Sequence, residues 1–315
     1  MSLLLRFGAL AAVILLLGVV ANAALFLWGP SPHGRRITVP VDGDDRGALL
    51  HVPRGADGPL PLVVALHPHM GFDHQFARVT GLSRLADDEG FAVAYPDATA
   101  KVRHVFQGWN AEHCCGHGFR TGADDVAFLD ALLDRLVTDG VADPERIYLV
   151  GHSNGGMMAY HYASLRPDRV AAIGVVAGSI GSGPTPSQHI LAPLPEPSGG
   201  ALLPPAMLVH GGADDVVPIE GGSSDRADGW SFTSFEQAVD AWRLRLDLPA
   251  QPDLAESDGN HRTWMQEGRP VLQAVVVPEA GHSWPGGAPN PFGVKPSQAY
   301  DASAGLWAFL RQQRL

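Results

Sequence analysis

Ile147-Tyr148-Leu149-Val150-Gly151-His152-Ser153-Asn154-Gly155-Gly156-Met157-Met158-Ala159 is the stretch from which the architecture is read. Its first four residues form a short apolar run of the kind buried on both faces of a parallel sheet. Gly151-His152-Ser153-Asn154-Gly155 follows and matches G-x-S-x-G. A sharp turn from strand to helix leaves little room beside the serine, so its flanking positions must be small. Such a turn presents the hydroxyl at the carboxyl edge of the sheet. The run from Asn154 to Leu165 reads as the helix behind it. Its N-terminus would add free N–H groups and a positive dipole end, both favourable to a developing oxyanion. The pentapeptide alone is common. Its place between an apolar run and a helix makes Ser153 a candidate nucleophile.

Similar apolar runs lie on either side, at Leu62 to His67, Phe91 to Tyr95, Val170 to Val176, Ala206 to Val209 and Val271 to Val277. Upstream, Arg36 to Val41 and Gly47 to Val52 read as an antiparallel pair joined by Asp42-Gly43-Asp44-Asp45. Helices are expected over Asp124 to Leu136, Asn154 to Leu165, Ser234 to Leu246 and Gln298 to Leu310. In the first of these Val126, Leu129, Leu133 and Leu136 recur at spacings of three and four. The alternation predicts an α/β fold, a doubly wound, mostly parallel sheet with helices on both faces. Gly181 to Pro205 is rich in Gly, Pro and Ser, lacks periodicity, and reads as a long surface loop, a candidate lid.

A chain of 315 residues suits one large α/β domain or two small ones. With 45% hydrophobic and 17% charged residues the composition is globular. A formal charge of −11 argues against a nucleic-acid partner, which requires a basic face. From Phe7 to Trp28 there is no charged residue. Phe7 to Val20 followed by Ala21-Asn22-Ala23 reads as a signal peptide with its cleavage site. The whole run to Trp28 reads equally well as an uncleaved anchor. Residues 1–29 are therefore expected to be a signal peptide or an N-terminal membrane anchor. Residues 30–315 are expected to form the catalytic domain, outside the cytoplasm and touching membrane only through that segment.

A serine hydroxyl is a weak nucleophile until a base takes its proton. On this kind of sheet the order along the chain is serine, then acid, then histidine. Ala206 to Val209 runs into His210-Gly211-Gly212-Ala213-Asp214-Asp215, and Val271 to Val277 runs into Pro278-Glu279-Ala280-Gly281-His282. Both segments follow the carboxyl end of a strand, where α/β sites are built. His282 is the expected base, and Asp214 or Asp215 the acid that holds its imidazole. The oxyanion donors are expected to be the N–H of Asn154 and one from the loop His67-Pro68-His69-Met70-Gly71. Pro68 has no N–H, which leaves His69 or Met70. Cys114 and Cys115 are the two cysteines and are adjacent. Bridges ordinarily want Cα atoms ~5.5 Å apart, so both are expected as partly buried thiols in a loop at the edge of the site. His113, Cys114, Cys115 and His117 also invite a metal reading, but zinc ligands are usually spaced, and no metal or cofactor is expected.

These motifs resemble the LpqC-like esterases, the group of secreted feruloyl and acetylxylan esterases (carbohydrate esterase family 1) and polyhydroxybutyrate depolymerases on the α/β-hydrolase fold. The resemblance rests on Arg46 to Pro53, Pro61 to His67, Gly108-Trp109-Asn110 with Cys114-Cys115-Gly116, and Asp124 to Leu129. It continues in Gly151 to Ala159, His210 to Asp214 and Gly281-His282-Ser283-Trp284-Pro285-Gly286-Gly287. It implies a carboxylic-ester hydrolase acting through an acyl-enzyme, with Asp214 rather than Asp215 as the acid. Carried over position by position, it implies His69 as the second oxyanion donor, although His67-Pro68 stands where the family usually has His-Gly. Trp284, beside the base, is expected to line the acyl pocket with its aromatic face. The implied substrates are feruloyl or acetyl esters of polysaccharides, or polyesters. The rival readings are a peptidase of the prolyl-oligopeptidase type, a catalytically impaired binding module and a metal-dependent enzyme.

Overall fold

The apolar runs that bracket the serine become the centre of a ten-stranded sheet. The computed structural model describes residues 34–41, 43–101, 106–184, 202–224, 226–227, 229–289 and 295–315. The N-terminal segment 1–29 and most of the expected loop Gly181 to Pro205 lie outside the described residues. The strands are β1 (Arg35–Val41), β2 (Asp44–His51), β3 (Leu60–Leu66), β4 (Ala92–Pro96), β5 (Ala142–His152), β6 (Ala172–Val176), β8 (Ala206–Gly211), β11 (Leu254–Ala255), β12 (His261–Gln266) and β13 (Arg269–Val277). Their order in the sheet is β1-β2-β4-β3-β5-β6-β8-β13-β12-β11. The six from β4 to β13 run parallel, and antiparallel strands close both edges.

Side chains alternate across these strands. Leu62, Val64, Leu66, Ile147 and Leu149 enter one buried cluster, and Val63, Ala65, Tyr148 and Val150 the other. Neither face can meet water, so helices cover both. In chain order these are α1 (Asp73–Thr80), α2 (Leu82–Glu89), α3 (Gly116–Thr121), α4 (Asp125–Thr138), α5 (Asn154–Leu165), α6 (Phe235–Arg245) and α7 (Ala302–Leu310). Phe128 of α4, Met158 of α5 and Trp242 of α6 pack into the first cluster. Phe76 of α1, Leu82 of α2 and Leu306 of α7 pack into the second. The doubly wound, mostly parallel sheet is thus the observed architecture. Among the described residues no helix is long and apolar enough to cross a membrane.

Several expected boundaries are corrected. The last helix starts at Ala302 rather than Gln298, because Asp301 caps it by accepting the Ala304 N–H at 3.0 Å. The preceding residues serve the histidine loop instead, since Ser297 C=O accepts the Gly286 N–H at 2.7 Å. The expected loop from Gly181 begins as structure. β7 (Ser182–Pro184) pairs with β10 (Trp230–Phe232), which pairs with β9 (Gly222–Ser223), in a separate antiparallel sheet. Helices α1 and α2 have no counterpart among the expected elements. Each is eight residues long, too short to show a clear period.

One buried ionic cluster ties the serine's neighbouring loop to the sheet. Arg36 of β1 bonds both Asp73 and Asp97, and Asp97 accepts the Asp73 N–H at 3.1 Å. This pins the end of the His67–Phe72 loop where α1 begins. Burial alone would raise the Asp73 carboxyl. The hydrogen bond from His74 and the Arg36 charge outweigh it and hold Asp73 at about 2, against an ordinary 3.8. The folded value lies below the unfolded one. The associated stability, on the order of 2 kcal/mol, is therefore full above the ordinary value and lost as pH falls through about 2. Urea unfolding across this range should show Asp73→Asn less stable at neutral pH, with the two curves converging toward the acid end. A gap independent of pH would contradict this assignment.

Candidate active site

β5 ends at His152 and α5 begins at Asn154, so Ser153 is the single residue at the turn between them. It adopts φ 54° and ψ −122°, in the left-handed half of the map that side-chain-bearing residues avoid. Its N–H bonds the Val176 carbonyl of β6 at 2.9 Å, which holds the turn against the sheet. The flanking glycines are required by contact distances. A Cβ on Gly151 would lie 2.2 Å from the Gly155 carbonyl oxygen, and one on Gly155 only 2.1 Å from that of Leu66. Both obstacles are backbone and cannot swing aside. Gly155→Ala is therefore expected to destabilise the protein by about 3 kcal/mol, read as a lowered urea midpoint. A loss within about 0.5 kcal/mol, the range of neutral surface changes, would show that the turn relaxes.

Three side chains from three strand ends converge here. Ser153 Oγ lies 2.9 Å from His282 Nε2, and His282 Nδ1 lies 2.8 Å from Asp214 Oδ2. The other carboxylate oxygen of Asp214 accepts the N–H groups of Val216 and Val217, each at 2.9 Å. Burial acts to raise the Asp214 carboxyl, but its hydrogen bond with His282 and the charges of His282 and His210 outweigh this and lower it. Asp214 is thus held as a carboxylate. Its neighbour Asp215 points outward, 3.1 Å from Arg226 in an exposed pair. The geometry separates the two aspartates that the sequence motif left adjacent.

Two further histidines surround this chain of contacts, and neither stands out in the sequence. His210 bonds the Val217 carbonyl through Nε2 at 2.9 Å, and the same nitrogen is 3.6 Å from Asp214. A carbonyl accepts only, so Nε2 of His210 carries the proton. His152 packs its ring 5.0 Å from that of His282. Burial, then the charge His282 can carry, push His152 down to about 3, so it stays neutral. The signal for both was position: each ends a central strand within a motif.

The backbone N–H of Asn154 is the first of α5, with no acceptor in its own helix. On the facing loop the Met70 N–H is already given to the Gln107 carbonyl at 2.8 Å. Of the two residues left open in that loop, this commits Met70 and leaves His69. The side chain of Asn154 serves the opposite wall. Its Oδ1 accepts the Trp109 N–H at 2.7 Å, and its Nδ2 donates to the carbonyls of Trp109 and Cys114, each at 3.1 Å. His67 is structural: Nε2 accepts the Ala98 N–H at 3.1 Å while Nδ1 donates to the Pro68 carbonyl at 2.8 Å.

A pocket of about 360 Å³ opens on Ser153 and is also lined by His69 and Cys115. Apolar walls come from Met157 of α5, Val216 and Val217 beyond β8, and Trp230 and Phe232 of β10. These wall residues escaped the sequence reading, although Trp230 and Phe232 carry the period-two spacing of a strand. Two expectations are corrected here. Cys114 and Cys115 are joined in a disulfide with Cα atoms 3.2 Å apart. The usual spacing describes bridges between distant residues, whereas one peptide bond sets the separation of neighbours. Trp284 does not line this pocket. It is 1% exposed, donates its indole N–H to Ser303 at 3.0 Å, and packs edge-on to Phe76. It supports the His282 loop from beneath and reaches only a 60 Å³ hollow behind that histidine. Among the described residues no group of three or more His, Cys, Asp or Glu is arranged to hold a metal ion.

Residues 47–188 match the family model described as esterase PHB depolymerase. NocK of Nocardia uniformis subsp. tsuyamanensis, which bears an esterase name, is 29% identical over 270 residues, covering 79% of this chain and 73% of that protein. Feruloyl esterase B of Piromyces equi is 29% identical over 194 residues, covering 60% of this chain and 33% of that protein. The chain thus spans about a third of that relative's length. Among solved structures, the acetyl xylan esterase from Aspergillus awamori superposes with a TM-score of 0.56 at 17% identity, over 79% of this chain and 94% of that one, a likeness of fold. The fold is that of the α/β-hydrolases, and within it residues 47–188 form a domain that matches the esterase PHB depolymerase family model.

Proposed function

We propose that this protein is a serine carboxylic-ester hydrolase that works through an acyl-enzyme, with residues 30–315 as its catalytic domain. The observation that carries the reading is the unbroken chain of contacts from Ser153 Oγ to His282 at 2.9 Å and on to Asp214 at 2.8 Å. In this reading His282 Nε2 takes the hydroxyl proton as Ser153 attacks the ester carbonyl. Charge develops on the carbonyl oxygen, and the N–H groups of Asn154 and His69 receive it. The tetrahedral intermediate collapses, His282 returns its proton to the leaving alcohol, and the acyl group stays on Ser153. A water molecule, activated by the same histidine, then releases the acid. Asp214 keeps the imidazole in the tautomer that both half-reactions need.

The substrates we propose are feruloyl or acetyl esters of polysaccharides, or polyhydroxybutyrate-type polyesters. The apolar walls of the pocket beside Ser153 suit an acyl chain or an aromatic ring. The family match and the feruloyl esterase relative support the same range. We further propose that residues 1–29 direct the protein out of the cytoplasm, as a cleaved signal peptide or as an anchor. The experiment is a panel of p-nitrophenyl acetate, methyl ferulate, acetylated xylan and short hydroxybutyrate oligomers, with Ser153→Ala as control. Serine-dependent turnover supports the reading, and the preferred ester chooses among the substrates. A folded protein inactive on all four would favour a hydrolase scaffold that binds without turnover.

A further inference from the structure

The pocket beside Ser153 holds one charged side chain among its described lining residues, and nothing in the proposed reaction uses it. This is Arg120, near the end of α3, exposed at the pocket wall. Many other arginines are neutralised, among them Arg46 by Asp125 at 2.6 Å, Arg166 by Asp130 at 2.9 Å and Arg262 by Glu236 at 2.6 Å. Among the described residues no carboxylate lies within ion-pair distance of Arg120. Its charge reaches the oxyanion loop, since after burial it is one of the influences that lower the His69 imidazole. The chain carries a net charge of −11, so an unneutralised cation beside the nucleophile runs against the general field of the protein.

We propose that Arg120 is a specificity-determining residue that binds a carboxylate carried by the substrate. The substrate class is then a short linear oligoester of apolar hydroxy acids ending in a free carboxylate. This rests on the esterase reading of the same site. The walls favour this source of a carboxylate over a uronic acid on a polysaccharide. Sugar hydroxyls need partners, and Met157, Val216, Val217, Trp230 and Phe232 offer no side-chain polar group except the indole N–H of Trp230. A guanidinium suits this task, because its planar fork meets both carboxylate oxygens. Oligomers of this kind are the products of an enzyme that cuts a polyester internally, so such a reaction must supply the substrate.

The test compares kcat/KM for a linear 3-hydroxybutyrate trimer acid with that for its methyl ester. Each protein serves as its own reference. The wild-type chain should favour the acid about tenfold, the scale of one charge-assisted contact. The preference should shrink as salt screens the charge. Arg120→Gln should bring the ratio to about one, mainly through KM, because the contact is equal in ground and transition states. Arg120→Lys should restore part of it. A wild-type ratio near one, or a ratio unchanged in Arg120→Gln, overturns the proposal. Calorimetric binding of acid and methyl ester to Ser153→Ala, with and without Arg120→Gln, decides the same question without turnover. If no ester is hydrolysed but Ser153→Ala still binds the acid through Arg120, the esterase reading fails and this one stands.

Discussion

Replacing Ser153 by alanine is expected to lower kcat for ester hydrolysis by about 10⁴- to 10⁶-fold while leaving the fold intact. The size follows from the chemistry. Without Oγ no acyl-enzyme forms, and only the oxyanion donors and substrate binding remain to accelerate attack by water. The fold should survive because the hydroxyl contributes one contact, to His282 at 2.9 Å, while the Ser153 N–H still holds the Val176 carbonyl. Alanine must also adopt φ 54°, a strain that serine already bears. Steady-state kinetics on p-nitrophenyl acetate, with thermal melts of both proteins, measure the two halves of this prediction. A variant retaining a tenth of wild-type activity would remove Ser153 from the role of nucleophile.

Asp214→Asn should lower kcat by roughly 10⁴-fold, and the structure supplies a reason particular to this site. Asp214 Oδ1 accepts two backbone N–H groups, from Val216 and Val217. An asparagine must keep its carbonyl oxygen there and turn its NH₂ toward His282. Nδ1 of His282 would then have to accept a hydrogen bond rather than donate one, which places the imidazole proton on Nε2. In that tautomer His282 cannot take the proton from Ser153. Asp215→Asn removes only an exposed pair with Arg226 and should change kcat by less than about twofold. Parallel kinetics of the two variants decide the matter. A severe loss in Asp215→Asn with a mild one in Asp214→Asn would reverse the assignment.

The sequence disclosed the central strands because each is buried on both faces and so reads as an unbroken apolar run. Leu62 to Leu66 and Ile147 to Val150 are of this kind. β12, next to the sheet edge, is mostly polar with Trp264 as its one buried residue, and it shows no such run. Ser153, Asp214 and His282 were legible for a related reason, since each directly follows a run of this type. What motifs could not supply was direction. Asp214 and Asp215 differ only in how the turn after Gly211 aims them, and that turn is set by bonds to Val216 and Val217. Adjacency misled in the same way at Trp284, which follows His282 closely in sequence yet points down into the core. Beyond the Cys114–Cys115 loop the pocket walls were illegible because they join that loop and α3, which follows it, to Met157 of α5 and to β10, segments distant along the chain that only the fold brings together.

In the proposed reaction the acyl group of the substrate passes through Ser153, and it can be trapped there. The protein would be mixed with excess p-nitrophenyl acetate, quenched in acid at steady state, digested and mapped by mass spectrometry. One acetyl group is expected on the peptide that contains Ser153, absent from Ser153→Ala and lost again when the substrate is exhausted before the quench. Turnover with the acetyl group on another side chain, or an Asp214- and His282-dependent turnover that leaves Ser153 unmodified under every quench, would contradict the proposed reaction.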